Sequence, residues 1–375
     1  MTKTEKLLRE LIALPSVNPA FLPAKHPNAG EQRVGEFLAA TAARAGLDVE
    51  FRKVSEGRSN LLLRLSPQGR VRRRLLLAPH LDTVNGATEQ FTPRTRNGRL
   101  LGRGACDTKG SVAAMATALF ELTRGGKRPA ETEIALVGLA DEEHGQTGSR
   151  ALAEEGFQAD LAIVGEPTKL QVVTAHKGTL WMQLETSGRC AHGSCPELGV
   201  NAVHTMARAV DVLLTDYAKT LRQRRHPLLG QATVSVGAIC GGTQVNIMPD
   251  RCSILIDRRT LPGETARGVQ RDLLDLLRSR GIAAVFARNK LPPCLPLDTD
   301  PKLPLVAGFL KTAGQRRPAG VRYFSDASVL AHGGIPSIVF GPGDIAQAHT
   351  ADEWISLTSL ERGKDLLLRF LQSLA

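Results

Sequence analysis

The stretch Leu75-Leu76-Leu77-Ala78-Pro79-His80-Leu81-Asp82 decides the fold class. A short apolar run that ends on side chains able to bind metal reads as a buried parallel strand carrying chemistry at its carboxyl end. The pattern recurs along the chain. Ile134-Ala135-Leu136-Val137-Gly138-Leu139-Ala140 leads into Glu142 and Glu143, Leu161-Ala162-Ile163-Val164-Gly165 ends at Glu166, and Ile338-Val339-Phe340-Gly341 is followed shortly by His349. Asp107 sits in the glycine-rich turn Gly102-Arg103-Gly104-Ala105-Cys106-Asp107-Thr108-Lys109-Gly110. In an open α/β sheet the functional crevice lies outside the carboxyl ends of the strands. These histidines and carboxylates are therefore expected to converge, as two-metal hydrolysis requires.

Helical periodicity is clear at Val112, Met115, Ala116, Leu119 and Leu122, at Val203, Met206, Ala207, Val210 and Leu214, and at Leu360, Leu367, Leu371 and Leu374. Strands and helices alternate up to Glu166, as in an α/β sheet. The pattern changes after about residue 177. A strand at 180–186, a helix at about 200–216, strands at 232–239 and 252–259, a helix at 264–280 and a strand at 282–287 give the order βαββαβ, the split unit of ferredoxin-like domains. Leu291-Pro292-Pro293-Cys294-Leu295-Pro296 reads as a stiff return hinge. A strand at 335–340 and a last helix then complete the first sheet. The expected architecture is α/β: a mostly parallel sheet with helices on both faces, built from residues 1–176 and 291–375, and an inserted ferredoxin-like domain at 177–290.

At 375 residues the chain exceeds the usual size of one domain. Its apolar fraction of 42% is ordinary for a globular protein, and no stretch approaches the roughly 18 consecutive apolar residues of a membrane span. The N-terminal segment is charged and amphipathic and lacks the uncharged core of a signal peptide, which points to the cytoplasm. Cys106, Cys190, Cys195, Cys240, Cys252 and Cys294 form no C-x-x-C pair and fit reduced thiols, with Cys106 a small buried filler rather than a nucleophile. The net charge of +11 raises the question of nucleic acid. The clusters Arg70/Arg72/Arg73/Arg74 and Arg222/Arg224/Arg225 are not interleaved with aromatics, which make up only 4% of the chain, so base-stacking platforms are not expected. Solvated faces, or steering of small anionic substrates, account better for the charge.

Singly, each candidate has an ordinary alternative. His80 and Asp82 lie two apart and point to the same side of an extended chain, so Asp82 can orient the His80 ring, but a surface His beside a loop Asp would look alike. Asp107 precedes a helix and could be an N-cap or a bridging ligand. Glu142 and Glu143 diverge at a strand end, leaving one to coordinate and one free as general acid and base, or they belong to a solvated acidic loop. Glu166 could be a strand-terminating charge, and His349 lies in a turn-rich loop. What separates these readings is the joint pattern: independent strand ends supply complementary ligand types.

The segments His80-Leu81-Asp82-Thr83-Val84, Gly102–Gly110, Asp141–Gly145, Gly165-Glu166-Pro167 and Gly341–Glu353 resemble, over essentially the full length, the acetylornithine deacetylase / succinyl-diaminopimelate desuccinylase / carboxypeptidase family of dinuclear zinc amidohydrolases. The resemblance implies two Zn2+ ions, with Co2+ or Mn2+ as substitutes. His80 and Glu166 would bind one metal, Glu143 and His349 the other, and Asp107 would bridge them. Glu142 would be the general base and Asp82 would orient His80. The inserted domain would be a lid and dimerisation domain, making the protein a homodimer. Within it, His192 of Ser187-Gly188-Arg189-Cys190-Ala191-His192-Gly193-Ser194 would polarise the scissile carbonyl. Asn246 and Arg258 would bind substrate, Arg258 by gripping its carboxylate with a planar fork.

The tail Ala348-His349-Thr350-Ala351-Asp352-Glu353 is closest to the acetylornithine deacetylase branch, whereas Ser325-Asp326-Ala327 departs from it at a position where that branch often carries Glu in place of Asp326. The expected activity is hydrolysis of the amide of an N-acyl amino acid, with deacetylation of N-acetylornithine to ornithine and acetate, a step of arginine biosynthesis, as first choice. Desuccinylation of succinyl-diaminopimelate, a dipeptidase or carboxypeptidase activity on dipeptides, and a silent binding or scaffold homologue remain as alternatives. Neither nucleic acid nor a membrane is an expected partner.

Overall fold

In chain order the protein opens with helices α1 (Lys3–Ile12) and α2 (Gln32–Arg44), the hairpin β1 (Asp48–Ser55) and β2 (Arg58–Leu65), and then β3 (Arg73–Pro79), which carries the leucine run. Helix α3 (Lys109–Arg124), β4 (Thr132–Gly138), α4 (Thr147–Glu154) and β5 (Leu161–Gly165) follow. The chain leaves this body along β6 (Val173–His176). The computed structural model describes residues 1–125, 128–288 and 292–374, so the expected return at 290/291, including Leu291, lies outside the described residues. By contact the chain divides into a first unit of Met1–Thr174, Thr299–Ala319 and the chain from Ser325 onward, and a second unit of Ala175–Asp298 with Gly320–Phe324.

The second unit contains β7 (Gly178–Ser187), α5 (Ala202–Val212), β8 (Thr233–Gly241), β9 (Arg251–Thr260), α6 (Ala266–Ser279) and β10 (Val285–Phe286). Its strands stand in the order β8-β9-β7-β10 and every pairing is antiparallel, so numbered along the chain the spatial order is 2-3-1-4, the arrangement of a split βαββαβ unit. Leu180, Met182 and Leu184 of β7 and Cys252, Ile254 and Ile256 of β9 share one buried core with Ala202, Met206 and Ala209 of α5 and Val269, Leu273 and Leu277 of α6. The period of two along each strand keeps the other face open. Two bounds differ from the sequence expectation. The helix expected at 200–216 runs on through a π turn (Leu213–Tyr217) into Ala218–Gln223, because Leu213, Tyr217 and Leu221 continue the buried stripe. The last strand is only two residues long.

The first unit resumes with α7 (Pro304–Thr312), α8 (Ala327–His332), β11 (Ser337–Val339) and α9 (Leu357–Gln372). Its sheet runs β1-β2-β4-β3-β5-β11-β6. The centre, β4-β3-β5-β11, is parallel throughout, whereas the flanking pairs β1–β2, β2–β4 and β11–β6 are antiparallel. Every residue of β4 and β5 is buried, which is why they read as unbroken apolar runs and require cover on both faces. Helices α1, α3 and α9 pack on one another as one layer, and α4 and α8 as another. Phe309, Phe340 and Phe370 meet in the core with ring centroids 4.8 Å apart in both contacts of Phe309.

Two small devices bring distant segments to the carboxyl ends of the parallel strands. The strand Trp354–Ser356 pairs with Arg99–Leu101, setting the loop that follows β11 against the Gly102–Gly110 turn. The buried Lys109 at the start of α3 donates from Nζ to the carbonyls of Leu11 and Leu14 at the end of α1, and burial lowers its pKa to about 7.

Candidate metal and catalytic centre

His80, Asp82, Asp107, Glu142, Glu143, Glu166 and His349 all lie in the first unit, where the ends of β3, β4, β5 and β11 meet. The His80 ring is 1% exposed. Its Nδ1 lies 3.0 Å from the backbone carbonyl of Asp82, an acceptor only, so Nδ1 carries a hydrogen and Nε2 is the atom free for chemistry. That Nε2 is 3.1 Å from Asp107 Oδ1 and 3.8 Å from Glu166 Oε1.

His349 mirrors this arrangement. Its Nε2 lies 3.1 Å from Glu143 Oε2 and 3.4 Å from Asp107 Oδ2. The two oxygens of Asp107 thus face two different imidazoles, each with a glutamate of its own.

Ligand atoms of His80, Asp107 and Glu143 lie within 4.8 Å of one another, and so do those of His80, Glu142 and Glu166. The adjacent pair therefore does diverge, Glu142 toward Glu166 and Glu143 toward His349 and Asp107. The backbone sets this. Asp141 adopts a left-handed conformation (φ 69°), which Asp tolerates better than most side chains. Asp82 Oδ1 and Oδ2 then accept the N–H groups of Glu142 and Glu143, each at 3.1 Å. Asp82 thus orients an imidazole and anchors both glutamates.

The electrostatics are those of crowded acids. Burial and then Glu166 push the Glu142 carboxyl well up, and burial and then Asp107 do the same to Glu166 once the opposing pull of His80 is counted. Burial followed by Asp107 raises Glu143 to about 7. Burial opposes ionisation of Asp107, but its bonds to His349 and His80 prevail and hold it well below the usual range. Its partners rise in return. His349 reaches about 10 through Asp107 and Glu143, and His80 is raised by Asp107 and Asp82 against the effect of burial. Glu166 Oε1 is buried with no hydrogen-bond partner among the described residues. An oxygen and nitrogen donor set of this composition, with an orphaned carboxylate oxygen, fits divalent ions such as zinc.

Several contributors escaped the sequence reading. Glu353 accepts the backbone N–H groups of Gly104, Cys106 and Asp107 and pairs with Arg103 at 2.7 Å, shaping the turn that presents Asp107. Gly104 has φ +81°, and an added Cβ would lie 2.9 Å from the Lys109 side chain, so the turn demands glycine there. The peptide bond between Asp107 and Thr108 is cis. Asn18 donates to Asp82 Oδ2 at 2.7 Å and to Asp141 Oδ1 at 2.9 Å. Asp326 is 1% exposed and accepts from Ser149 and Gln146, and burial raises its pKa to about 6.

The remaining candidates lie in the second unit. His192 and Asn246 are exposed and adjacent: the 191–193 segment pairs with 246–248 through Gly193 N–H to Asn246 O (2.8 Å) and Met248 N–H to Ala191 O (2.9 Å). Ser194 N–H donates to His192 Nδ1 at 3.2 Å, so the neutral ring carries its hydrogen on Nε2.

Arg258 departs from expectation. It is 0% exposed, and its guanidinium is committed to Glu264, Tyr217 Oη and the Arg259 carbonyl. It braces the unit's interior and has no fork free for a carboxylate. Its neighbour Arg259 points to the open face of the sheet, paired with Asp257 at 2.9 Å.

The arrangement described is that of a metal-dependent amidohydrolase. Residues 76–373 match the model of peptidase family M20/M25/M40, and the chain belongs to that family. It is 32% identical to an acetylornithine deacetylase of Proteus mirabilis (strain HI4320), over 98% of this chain and 96% of the relative. Among solved structures it resembles an aminopeptidase, PepT, from Bacillus cereus (TM-score 0.79, 22% identity, 99% of this chain and 98% of that one). It also resembles a dinuclear metal-binding peptidase of the M20 family from Bacillus subtilis (TM-score 0.72, 12% identity, 99% and 97%). Among the described residues no helix is long and apolar enough to cross a membrane.

Proposed function

We propose that the protein is a dizinc hydrolase of N-acyl amino acids, with N-acetylornithine as its substrate. The observation that carries this reading is the division of labour around Asp107, whose Oδ1 faces His80 and whose Oδ2 faces His349. His80 and Glu166 would hold one ion, Glu143 and His349 the other, and Asp107 would bridge them. Bound there, the ions would polarise the scissile carbonyl and make a water acidic enough to surrender its proton. Glu142, buried and raised well above the usual carboxylate range, is the base that takes that proton and later returns it to the leaving amine. Asp82 keeps His80 and the 142–143 backbone in register. His192 presents an Nε2–H of the kind that stabilises a developing oxyanion. Asn246 and Arg259 supply polar contacts on the second unit's open surface, Arg259 taking the role first assigned to Arg258.

Support for the acetylornithine branch comes from the full-length relative at 32% identity. The second unit serves as lid and dimerisation domain in this reading: among the described residues β8 pairs on one side only, with β9, and Ile239 on it and Val245 and Ile247 after it are exposed. Cys106, Cys190, Cys195, Cys240 and Cys252 carry free thiols, in keeping with a cytoplasmic setting.

Amine release by the zinc- or cobalt-loaded protein, measured across N-acetyl and N-succinyl amino acids and dipeptides, tests the proposal. A preference headed by N-acetylornithine supports both chemistry and branch. Preference for another member moves the substrate to the desuccinylase or dipeptidase alternative. No turnover with both metals bound rejects the hydrolase reading in favour of a binding homologue. Sedimentation of the loaded protein tests the dimer.

A further inference from the structure

Behind the centre runs a buried chain of polar side chains that lies outside the proposed ligand set. Asn18 is held by backbone pairing to the segment that carries Asp82, its N–H donating to Thr83 O at 2.9 Å. Its amide spans Asp82 Oδ2 and Asp141 Oδ1. Asp141 Oδ1 also accepts from Arg58 Nη1 at 2.8 Å. Arg58 turns its other edge to Glu31, with Nε at 3.2 Å from Oε2 and Nη2 on Oε1. Glu31 Oε1 in turn accepts the backbone N–H of Asp141 at 3.1 Å. Asn18, Glu31, Asp82 and Asp141 are at most 4% exposed. Two buried carboxylates, Glu31 and Asp141, thus share one guanidinium, since both are ion-paired with Arg58.

We propose that Arg58 is a positioning residue for the metal centre. Its planar fork fixes Glu31 and Asp141 together, and so fixes the left-handed turn at Asp141. Through Asn18 it also holds the Asp82 carboxylate that anchors Glu142, Glu143 and His80. Without Arg58, the buried Asp141 and Glu31 lose the cation both are paired with, and the turn that aims one glutamate at each half of the centre loses its brace. The proposal rests on the reading that the centre holds metal. Partners one step removed from metal ligands set affinity by 10–100-fold in general.

Arg58 also lines a surface cavity of about 410 Å³ together with Glu31, Gln32, Phe51 and Lys53. Truncation at residue 58 therefore leaves a hole that a small guanidinium compound can enter from solvent.

The test uses the full-length cobalt-loaded protein. Competition with a chromogenic chelator measures metal affinity, the visible cobalt spectrum reports ligand geometry, and kcat and KM are followed separately. R58A is expected to lose about 10–100-fold in metal affinity and in kcat, with KM within about threefold, and millimolar ethylguanidinium is expected to restore part of both. R58K, which keeps the charge but not the fork, should fall between R58A and the parent. The double variant E31Q/R58M restores the parent's net charge across these groups; it should recover part of the thermal stability without recovering metal affinity.

Unchanged affinity and cobalt spectrum in R58A overturn the proposal. So does full recovery of both in E31Q/R58M, since a merely structural pair behaves that way. Should R58A fail to fold, R58K decides: parental affinity and spectrum overturn the proposal, intermediate values sustain it. Failure of the parent protein to bind metal is a separate result, which removes the proposed function and this inference with it.

Discussion

Glu353 Oε1 accepts the backbone N–H of Asp107 at 3.0 Å across 246 positions of sequence. The same carboxylate holds the amides of Gly104 and Cys106 and the Arg103 guanidinium. Replacing it by Gln turns an amide donor toward amide donors. E353Q should lose about 2–4 kcal/mol of stability, the cost of several unmade hydrogen bonds to a buried anion. Denaturant unfolding of the metal-free protein measures this directly, and a loss below about 0.5 kcal/mol would show that the turn holds itself.

Removing the proposed base separates chemistry from binding. E142A should retain both metals by elemental analysis while kcat falls by about 100–10,000-fold. Loss of one metal would instead make Glu142 a ligand, a role its proximity to His80 and Glu166 permits geometrically.

Metal and protons compete for the same atoms. In the metal-free protein the His349 pKa is raised to about 10 by Asp107 and Glu143, against about 6.5 in an unfolded chain. The contribution of protonated His349 to metal-free stability is therefore complete below about pH 6.5 and is lost as pH rises through about 10. Metal uptake at pH 7–8 must displace that proton, so affinity should rise by up to about tenfold per pH unit in this window. Calorimetry in buffers of different ionisation enthalpy counts the protons released. No release would contradict the pairing of His349 with Asp107 and Glu143.

The two adjacent arginines of β9 should give opposite phenotypes. R258A leaves Glu264 without its buried partner and should cost about 3–5 kcal/mol of stability. R259A should leave the melting temperature within a few degrees and raise KM for a carboxylate-bearing substrate. A raised KM with unchanged stability in R258A would reverse the assignment.

Much of the centre was legible because strand ends announce themselves. Leu75–Ala78 and Ile134–Ala140 read as buried strands, and the charged residues that follow them fall at the strand ends. The parity of β9 was legible too: Cys252, Ile254 and Ile256 face the core, so residue 258 had to follow them inward, and a count by two would have chosen Arg259. Strand β1 escaped because an edge strand half-exposed to solvent carries no continuous apolar run. Asn18, Arg58 and Glu353 escaped for a different reason. Each acts through a contact made only after folding, with a residue far away in sequence, and a lone Asn, Arg or Glu in a polar segment has no periodicity to betray it.

The loop between β11 and α9 contributes both His349 and Glu353, one facing the metal positions and the other shaping the turn opposite. During synthesis, strands β1 to β5 can pair long before that loop exists, since domains fold as their chain emerges. The centre cannot close until residue 353 has been translated. A ribosome stalled before that point would carry strands β1 to β5 with the His80 half of the centre and without His349. The half of the centre that takes His349 is thereby completed last, so a fragment cut short before it would hold at most the half built on His80.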